Sequence, residues 1–345
     1  MIDLRSDTVT LPTENMRKAM YEAELGDDVF GEDPTVNRLE DMAASRLGKE
    51  DALLVTSGTM GNLVSCLTHC QRGDEMIVGD MAHVHLFEVG GVSALGSIHV
   101  RSVPNQPDGS MLLTDVESVI RKPWNVHYPR SRLLCLENTH NRCNGAAVPV
   151  EKVDALAALA HANDISVHMD GARVFNAQVA LGVPAARIAA NCDSITFCLS
   201  KGLSAPVGSV ICGSRDFIAE ARRWRKMVGG GLRQAGIIAA AGIVALNEMV
   251  DRLAEDHANA KKLAQGLAES PYIEINPDLY QTDIIYFALS ARSPHESATF
   301  LARLKERGVL LSMPGGRKFR AVTHYGISEA NIDAAIEAIA AAAAP

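Results

Sequence analysis

The stretch DSITFCLSKGLSAPVGS, residues 193–209, sets an apolar alternation against one abrupt cation. Ile195, Phe197 and Leu199 lie among Thr196, Cys198 and Ser200, the period of two that marks a strand. Lys201 follows at once, walled in by Gly202, Ser204, Gly208 and Ser209. It is the only charged residue between Ser194 and Cys212. A second apolar run begins at Ser209, and the link between the two runs is only SKGLSAPVG. A right-handed crossover to a parallel neighbour needs a dozen or more residues, so strand 209–212 is predicted to be antiparallel.

The same rhythm extends towards the N-terminus. Short apolar runs at Ala52–Thr56, Glu75–Val78, Ile98–Val103, Arg132–Glu137, Ile165–Met169 and Ser194–Leu199 read as strands. Helical stretches near 60–70, 114–122, 150–163 and 173–190 separate most of them. With Ser209–Cys212 this gives a seven-stranded, mostly parallel sheet covered on both faces, an α/β fold. Before it lie an extended start and two helices, the second bracketed by Pro34 and Gly48. After it the chain is long-helical over 214–268, broken by GGG at 229–231. The order then becomes strand (273–276), strand (284–289), helix (296–307), strand (309–313), strand (318–323), helix (328–343). The expected division is a large domain over 1–247 and a small α+β domain over 248–345.

Composition narrows the function. A chain of 345 residues with 47% hydrophobic residues has material for two cores. The net charge of −8, without blocks of like sign, argues against nucleic acid as a partner. The longest apolar runs, IIAAAGIVAL and AAIEAIAAAAAP, are too short or too interrupted to span a bilayer. The start, MIDLRSDTVTLPT, lacks an apolar core behind a basic leader, so a cytoplasmic protein is expected. Seven cysteines without a C-x-x-C pair read as reduced core thiols, and no metal site is expected.

In an open parallel sheet, ligands bind beyond the carboxyl ends of the strands, so the residues after each strand carry the functional signal. After the first comes Ser57-Gly58-Thr59, a small-residue turn entering a helix and suited to an anion. It matches neither phosphate-loop nor dinucleotide patterns, and alone it reads equally as a plain turn. After the second come His83 and His85, which singly read as hydrogen-bonded structural groups. After the fifth comes Asp170, costly to bury without a cationic or N–H partner, with Arg173 near enough in sequence to be one. After the sixth comes Lys201. An anion loop, a flat ring, a buried carboxylate and an isolated lysine on one edge together match one cofactor, pyridoxal 5'-phosphate. A lysine among apolar and small residues is also easier to deprotonate, as imine chemistry requires.

The strings IDLRSDTVT, GDDVFGEDPTVNRLE, SGTMGN, ENTHN, HMDGARVFNA, CLSKGLSAPVGS, GGGLRQAG and RAVTH resemble the low-specificity L-threonine (L-allo-threonine) aldolases. These belong to fold type I, the aspartate aminotransferase-like class of pyridoxal phosphate enzymes. The resemblance runs from Ile2 to about residue 268 and resumes at residues 320–324. It implies retro-aldol cleavage of L-β-hydroxy-α-amino acids to glycine and an aldehyde, by way of a Schiff base on Lys201. It implies that Asp170 partners the pyridine nitrogen, that His83 stacks on the ring, and that Ser57, Gly58 and Thr59 take the phosphate. Arg233 is implied as a further phosphate contact, across a subunit boundary in a homodimer or dimer of dimers. Ser6, Arg173 and Arg320 are implied to hold the substrate α-carboxylate, Arg173 lying beside the cofactor as well. His127 is implied near the β-hydroxyl, and His85 beside the β-substituent. The base is left open between His83, His127 and a water held by them.

Three departures stand out. Leu232 replaces a usual Met, a volume-conserving change. Asp283 replaces a usual Asn and is expected to add negative charge near Arg320. The stretch Arg142–Asn144 differs from the usual form. Arg320, rather than Arg317, is chosen for its place before VTH. Two other readings are a lyase preferring another β-hydroxy substrate of the phenylserine type, and a non-catalytic cofactor-binding protein. The latter expects loss of the lysine or the aspartate, and both are present.

Overall fold

The computed structural model describes residues 1–121 and 125–345. Lys122, where the expected helix 114–122 was to end, lies outside the described residues; the helix itself spans Leu113–Val119. All seven expected strands pair in one sheet: Asp51–Val55 (β1), Asp74–Gly79 (β2), His99–Val103 (β3), Arg130–Glu137 (β4), Ser166–Asp170 (β5), Ser194–Cys198 (β6) and Ser209–Gly213 (β7). Their order across the sheet is β1-β7-β6-β5-β4-β2-β3. β7 runs antiparallel to both its neighbours, β6 and β1, and every other pairing is parallel. The short link after Lys201 dictates that reversal. The carboxyl ends of β1, β2, β4, β5 and β6 therefore share one edge with the start of β7.

Local chemistry sets the flanking helices. Helix Pro34–Leu47 starts where the Asp33 carboxylate accepts from the Thr35 and Val36 amides, and stops at Gly48 in the left-handed region (φ 63). The expected helix 173–190 is broken into Val174–Leu181 and Ala185–Ile188, because Gly182 turns left-handed (φ 65) and Pro184 follows. Helices Pro34–Leu47, Val150–His161 and Gly236–Val244 build the largest apolar cluster on one face. On the other face, helices Gly58–His69 and Arg215–Met227 supply residues to two smaller clusters.

The remaining sheet is antiparallel, with Ile273–Glu274 (β8), Ile284–Leu289 (β9), Ser312–Gly315 (β10) and Lys318–Val322 (β11) in the order β10-β11-β9-β8. Leu263, Phe300, Phe319 and Ile332 form its own apolar cluster, with helices Leu253–Ala268, Ser297–Glu306 and Glu329–Ala343. The expected strand 309–313 is divided. Ser312 onwards pairs with β11, while Val309–Leu310 pairs in parallel with Ile2–Asp3 from the far end of the chain. The reason is apolar burial: Leu4 is fully buried in this second cluster, and its carbonyl accepts from the Val322 amide at 2.8 Å. The first cluster runs on to Leu253 and the second resumes at Ala260, so the two cores change over within helix Leu253–Ala268; we propose the expected division at 247/248 just ahead of it, with Leu4 packed into the second. Among the described residues no helix is long and apolar enough to cross a membrane.

Replacing Leu4 with alanine removes a fully buried side chain that ties the chain start to the second sheet. Leu4→Ala is expected to cost about 2–5 kcal/mol, read as a lower midpoint in urea unfolding.

Candidate active site

The shared strand edge gathers the polar groups. After β1, Ser57 caps helix Gly58–His69, its Oγ accepting from the Met60 amide at 3.2 Å. A side chain on Gly58 would bring Cβ to 2.9 Å from Cys198 Sγ, so only glycine fits against β6 there. Ser57 and Thr59 are exposed at this helix start, where amides and dipole favour an anion. After β6, the Lys201 carbonyl takes the Thr10 hydroxyl at 3.2 Å and the Ser204 amide at 2.8 Å. Its ammonium has no hydrogen-bond or ion-pair partner among the described residues. The buried hydroxyls of Ser204 and Ser209 likewise have none. A free lysine, orphaned hydroxyls and an open helix start suit a ligand carrying both a carbonyl and a phosphate.

Asp170, at the end of β5, is buried and fully engaged. Oδ1 accepts from the Ala172 amide at 3.1 Å and Oδ2 from Asn62 Nδ2 at 2.8 Å. The same Asn62 amide donates to Glu88 Oε1 at 2.8 Å, and Glu88 Oε1 meets His83 Nδ1 at 2.8 Å. The His83 backbone amide is held by Glu137 Oε2, from the end of β4, at 2.7 Å. Burial disfavours the His83 imidazolium, but the Glu88 hydrogen bond and the charge of Asp170 outweigh it and raise its pKa. Burial likewise raises the Glu88 pKa, with Asp170 adding to it, against the opposing pull of His83 and Asn62. His83, Glu88 and Asp170 present ligand atoms within 4.8 Å of one another, a spacing that also suits a cation. Asn62, donating to both carboxylates, already supplies N–H groups to that cluster.

The N-terminal segment crosses the site. Asp7 is fully buried and grips Arg173 in a fork, Oδ2 to Nε at 2.7 Å and Oδ1 to Nη2 at 2.8 Å. Burial raises the Asp7 pKa, yet the Arg173 charge and hydrogen bonds overcome this and hold it at about 2. The candidate pairing of Arg173 with Asp170 is therefore absent. Two of the Arg173 donors are committed to Asp7, while Asp170 is satisfied by amide N–H groups. Ser6 caps the short turn beside Asp7, accepting from the Thr8 amide at 3.3 Å. Asp283 also corrects the sequence reading. It stands just before β9, with Oδ2 3.8 Å from Arg173 Nε, so the cation it meets is Arg173, while Tyr286 of β9 is the residue opposite Arg320. Both its carboxylate oxygens are buried without a hydrogen-bond partner.

A cleft of about 320 Å³ opens in front of these groups, lined by His83, Phe87, Asn141, Tyr286 and Arg320 among others. Arg320, on β11, is fixed by Asn141 Oδ1 at 3.0 Å and by the Arg5 carbonyl at 3.1 Å. Arg317 instead points its guanidinium at the carbonyls of Leu289, Ser290, Ser293 and His295, a purely structural role. His85 sits half-buried in the same short helix as His83. Two expected residues are not brought to the cluster. His127 is exposed in the turn before β4, so it stands at the amino edge of the sheet, opposite the site. Arg233 is exposed and paired with Asp27 at 3.0 Å.

Residues 3–290 match the family of β-eliminating lyases. A probable low-specificity L-threonine aldolase 2 of Arabidopsis thaliana is 47% identical over 334 residues, covering 96% of this chain and 94% of its own. The low specificity L-threonine aldolase of Escherichia coli K12 is 47% identical, covering 95% of both chains. The chain belongs to the L-threonine aldolase family. Among solved structures, the Leishmania major threonine aldolase superposes with a TM-score of 0.83 at 18% identity, covering 98% of both chains. A putative L-allo-threonine aldolase of Listeria monocytogenes gives a TM-score of 0.81 at 20% identity, covering 99% of this chain and 96% of that one. These place the fold in type I, and the cofactor of this threonine aldolase fold is pyridoxal phosphate.

Several groups of the threonine aldolase site escape a sequence-only reading. Asn62 sits one helical turn past Gly58, within the quoted SGTMGN, and its role depends on a helix aiming it at β5. Glu88 and Glu137 carry no local signal, since their partners are far away in sequence. Asp7 lay in plain view in IDLRSDTVT, but its partner Arg173 is visible only once the chain start crosses the sheet.

Burial pushes the Asp283 carboxyl up to about 7, with Asp7 and Asp256 adding to it and Arg173 opposing. The folded protein thus keeps a proton that the unfolded chain releases near the ordinary value of 3.8. Native stability therefore falls as pH rises from the unfolded value through the folded one, and the penalty is complete above about 7. Asp283→Asn removes the penalty. The expected outcome is a melting temperature raised by a few degrees at pH 8 and by less at pH 5, measured by calorimetry at both pH values.

Proposed function

We propose that this chain cleaves L-threonine, L-allo-threonine and related L-β-hydroxy-α-amino acids to glycine and an aldehyde, with Lys201, Asp170 and His83 as the central residues. The observation that carries the assignment is the unpartnered Lys201 ammonium on the same strand edge as buried Asp170 and His83. Bound there, pyridoxal phosphate supplies an electron sink for the pair released when the Cα–Cβ bond breaks.

The chain's own residues do the rest. Lys201 would be the residue that holds the cofactor covalently. Asp170, whose oxygens accept from Asn62 Nδ2 and the Ala172 amide, would hold the pyridine nitrogen. Ser57, Gly58 and Thr59 receive the phosphate at the helix start. Arg320, fixed by Asn141, and Ser6 hold the α-carboxylate, which selects the Cα bond that stands ready to break. Arg173 borders this carboxylate site, stiffened by Asp7. His83, oriented by Glu88 and Glu137, covers the ring and receives the β-hydroxyl proton directly or through one water. His85 borders the β-substituent. His127 enters the reaction only if a neighbouring chain carries it, and the exposed Val126 and Tyr128 beside it suit burial against one.

We further propose a homodimer or dimer of dimers acting in the cytoplasm. Phe30 and Met227 are 74% and 72% exposed, and they flank the segment bearing Arg233. Burying this apolar surface against a second copy offers Arg233 to the neighbour's phosphate. A mass measurement in solution checks this, and a monomer with full activity overturns it.

The central test is Lys201→Ala, expected to abolish both the cofactor's visible absorbance and aldehyde release from L-threonine. Substantial turnover of D-threonine by the wild type would count against the assignment. His83→Ala is expected to lower kcat about 10²–10⁴-fold, with the cofactor still bound. A phenylserine-preferring lyase is distinguished by comparing kcat/KM for L-threonine, L-allo-threonine and L-phenylserine in the same assay.

A further inference from the structure

The active-site cleft does not end at His83 and Arg320. It adjoins a second cleft of about 690 Å³, lined by Tyr280, Glu274 and Lys318 among others. Arg142, Tyr286 and Pro314 line both. Arg142 therefore stands where the two lobes meet, on the way out from the reacting carbons.

Arg142 is chemically conspicuous. It is half-buried, and among the described residues its guanidinium has no hydrogen bond or ion pair. Three more deeply buried arginines are matched: Arg173 with Asp7, Arg225 with Asp28 at 2.8 Å, and Arg252 with Asp256 at 2.7 Å; Arg101, half-buried on β3, is unpaired like Arg142 but lines neither cleft. The nearest group recorded for Arg142 is the exposed ring of Phe87, 5.9 Å from its Cζ, a weak cation–π contact at most. Its chain neighbour Asn141 holds Arg320 at 3.0 Å, so two guanidinium groups flank one cleft. With Arg320 on the α-carboxylate, Arg142 is left facing the far end of the substrate. The methyl group of threonine offers it nothing.

We propose that Arg142 is a specificity residue that receives a carboxylate carried on the substrate's β-substituent, making β-hydroxy-α-amino dicarboxylic acids a substrate class of this enzyme. The inference rests on the retro-aldol reading above and adds a substrate class to it. For L-3-hydroxyaspartate the step balances without a redox partner. The β-hydroxyl loses its proton, the Cα–Cβ bond breaks, the oxygen and Cβ become the aldehyde of glyoxylate, and Cα takes up a proton to give glycine. The fork of an arginine matches a carboxylate in two parallel hydrogen bonds, which gives geometric selectivity as well as affinity.

The test compares kcat/KM for L-3-hydroxyaspartate, L-threonine and L-phenylserine in the wild type, Arg142→Met and Arg142→Lys holoenzymes. Methionine keeps the apolar stem and removes the charge, so a shape effect and a charge effect separate. The expected result is wild-type release of glyoxylate and a ratio of hydroxyaspartate to threonine efficiency that falls at least ~10-fold in Arg142→Met, through KM. Arg142→Lys is expected to keep an intermediate ratio, and the phenylserine-to-threonine ratio to move little. A hydroxyaspartate-to-threonine ratio within twofold of wild type in Arg142→Met overturns the proposal. So does wild-type enzyme that cleaves threonine and releases no glyoxylate, which leaves the aldolase reading standing. Wild-type enzyme that binds the cofactor and cleaves none of the three substrates overturns the aldolase reading itself.

Discussion

The buried fork between Asp7 and Arg173 is the joint on which the site depends. Desolvating two charges is expensive, and the pair repays this only through close, two-pronged geometry. Once made, it fixes three things together. It pins the chain start across the mouth of the large sheet, and it commits two donors of the arginine nearest Asp170. It also leaves Asp283 behind it as a carboxyl that burial keeps protonated until about neutral pH. Breaking the pair by removing one partner strands the other charge in an apolar setting, a far greater loss than an exposed ion pair represents.

A second line of polar contacts runs from Asp170 through Asn62 to Glu88 and His83. Its members come from β5, from the helix after β1 and from the short helix after β2. Three separate elements thus fix the distance between the Asp170 carboxylate and the His83 imidazole. Rigidity here comes from sharing: the Asn62 amide serves two carboxylates, Asp170 also accepts from the Ala172 amide and Glu88 Oε1 also meets His83, while Glu88 Oε2 is buried without a partner. The Lys201 ammonium, by contrast, has no such partner among the described residues, which is what a group that must change its bonding requires.

Much of this was legible in the sequence, for a physical reason. Seven strands announced themselves because buried strands need apolar runs, and the antiparallel β7 followed from a connection too short for a crossover. That Lys201, Asp170, Ser57 and His83 share one edge was legible because each ends or follows a strand of the same parallel set. What stayed hidden depends on contacts between distant segments. Asp283 was expected to bear on Arg320, and its contact with Arg173 joins two residues far apart in sequence. His127 carries a family pattern, yet its place at the amino edge follows from β4 running the full depth of the sheet. The pairing of Ile2–Asp3 with Val309–Leu310 had no local signature at all.

That last pairing bears on how the enzyme is made. A ribosome delivers Ile2, Leu4 and Asp7 long before residues 309–322. Until then the β-strand partner of Ile2, the apolar pocket of Leu4 and the arginine of β11 do not exist outside the tunnel. The large sheet can assemble as it emerges, but Arg320 cannot yet reach Asn141 or the Arg5 carbonyl. The nascent chain spends that interval with Ile2 and Leu4 uncovered.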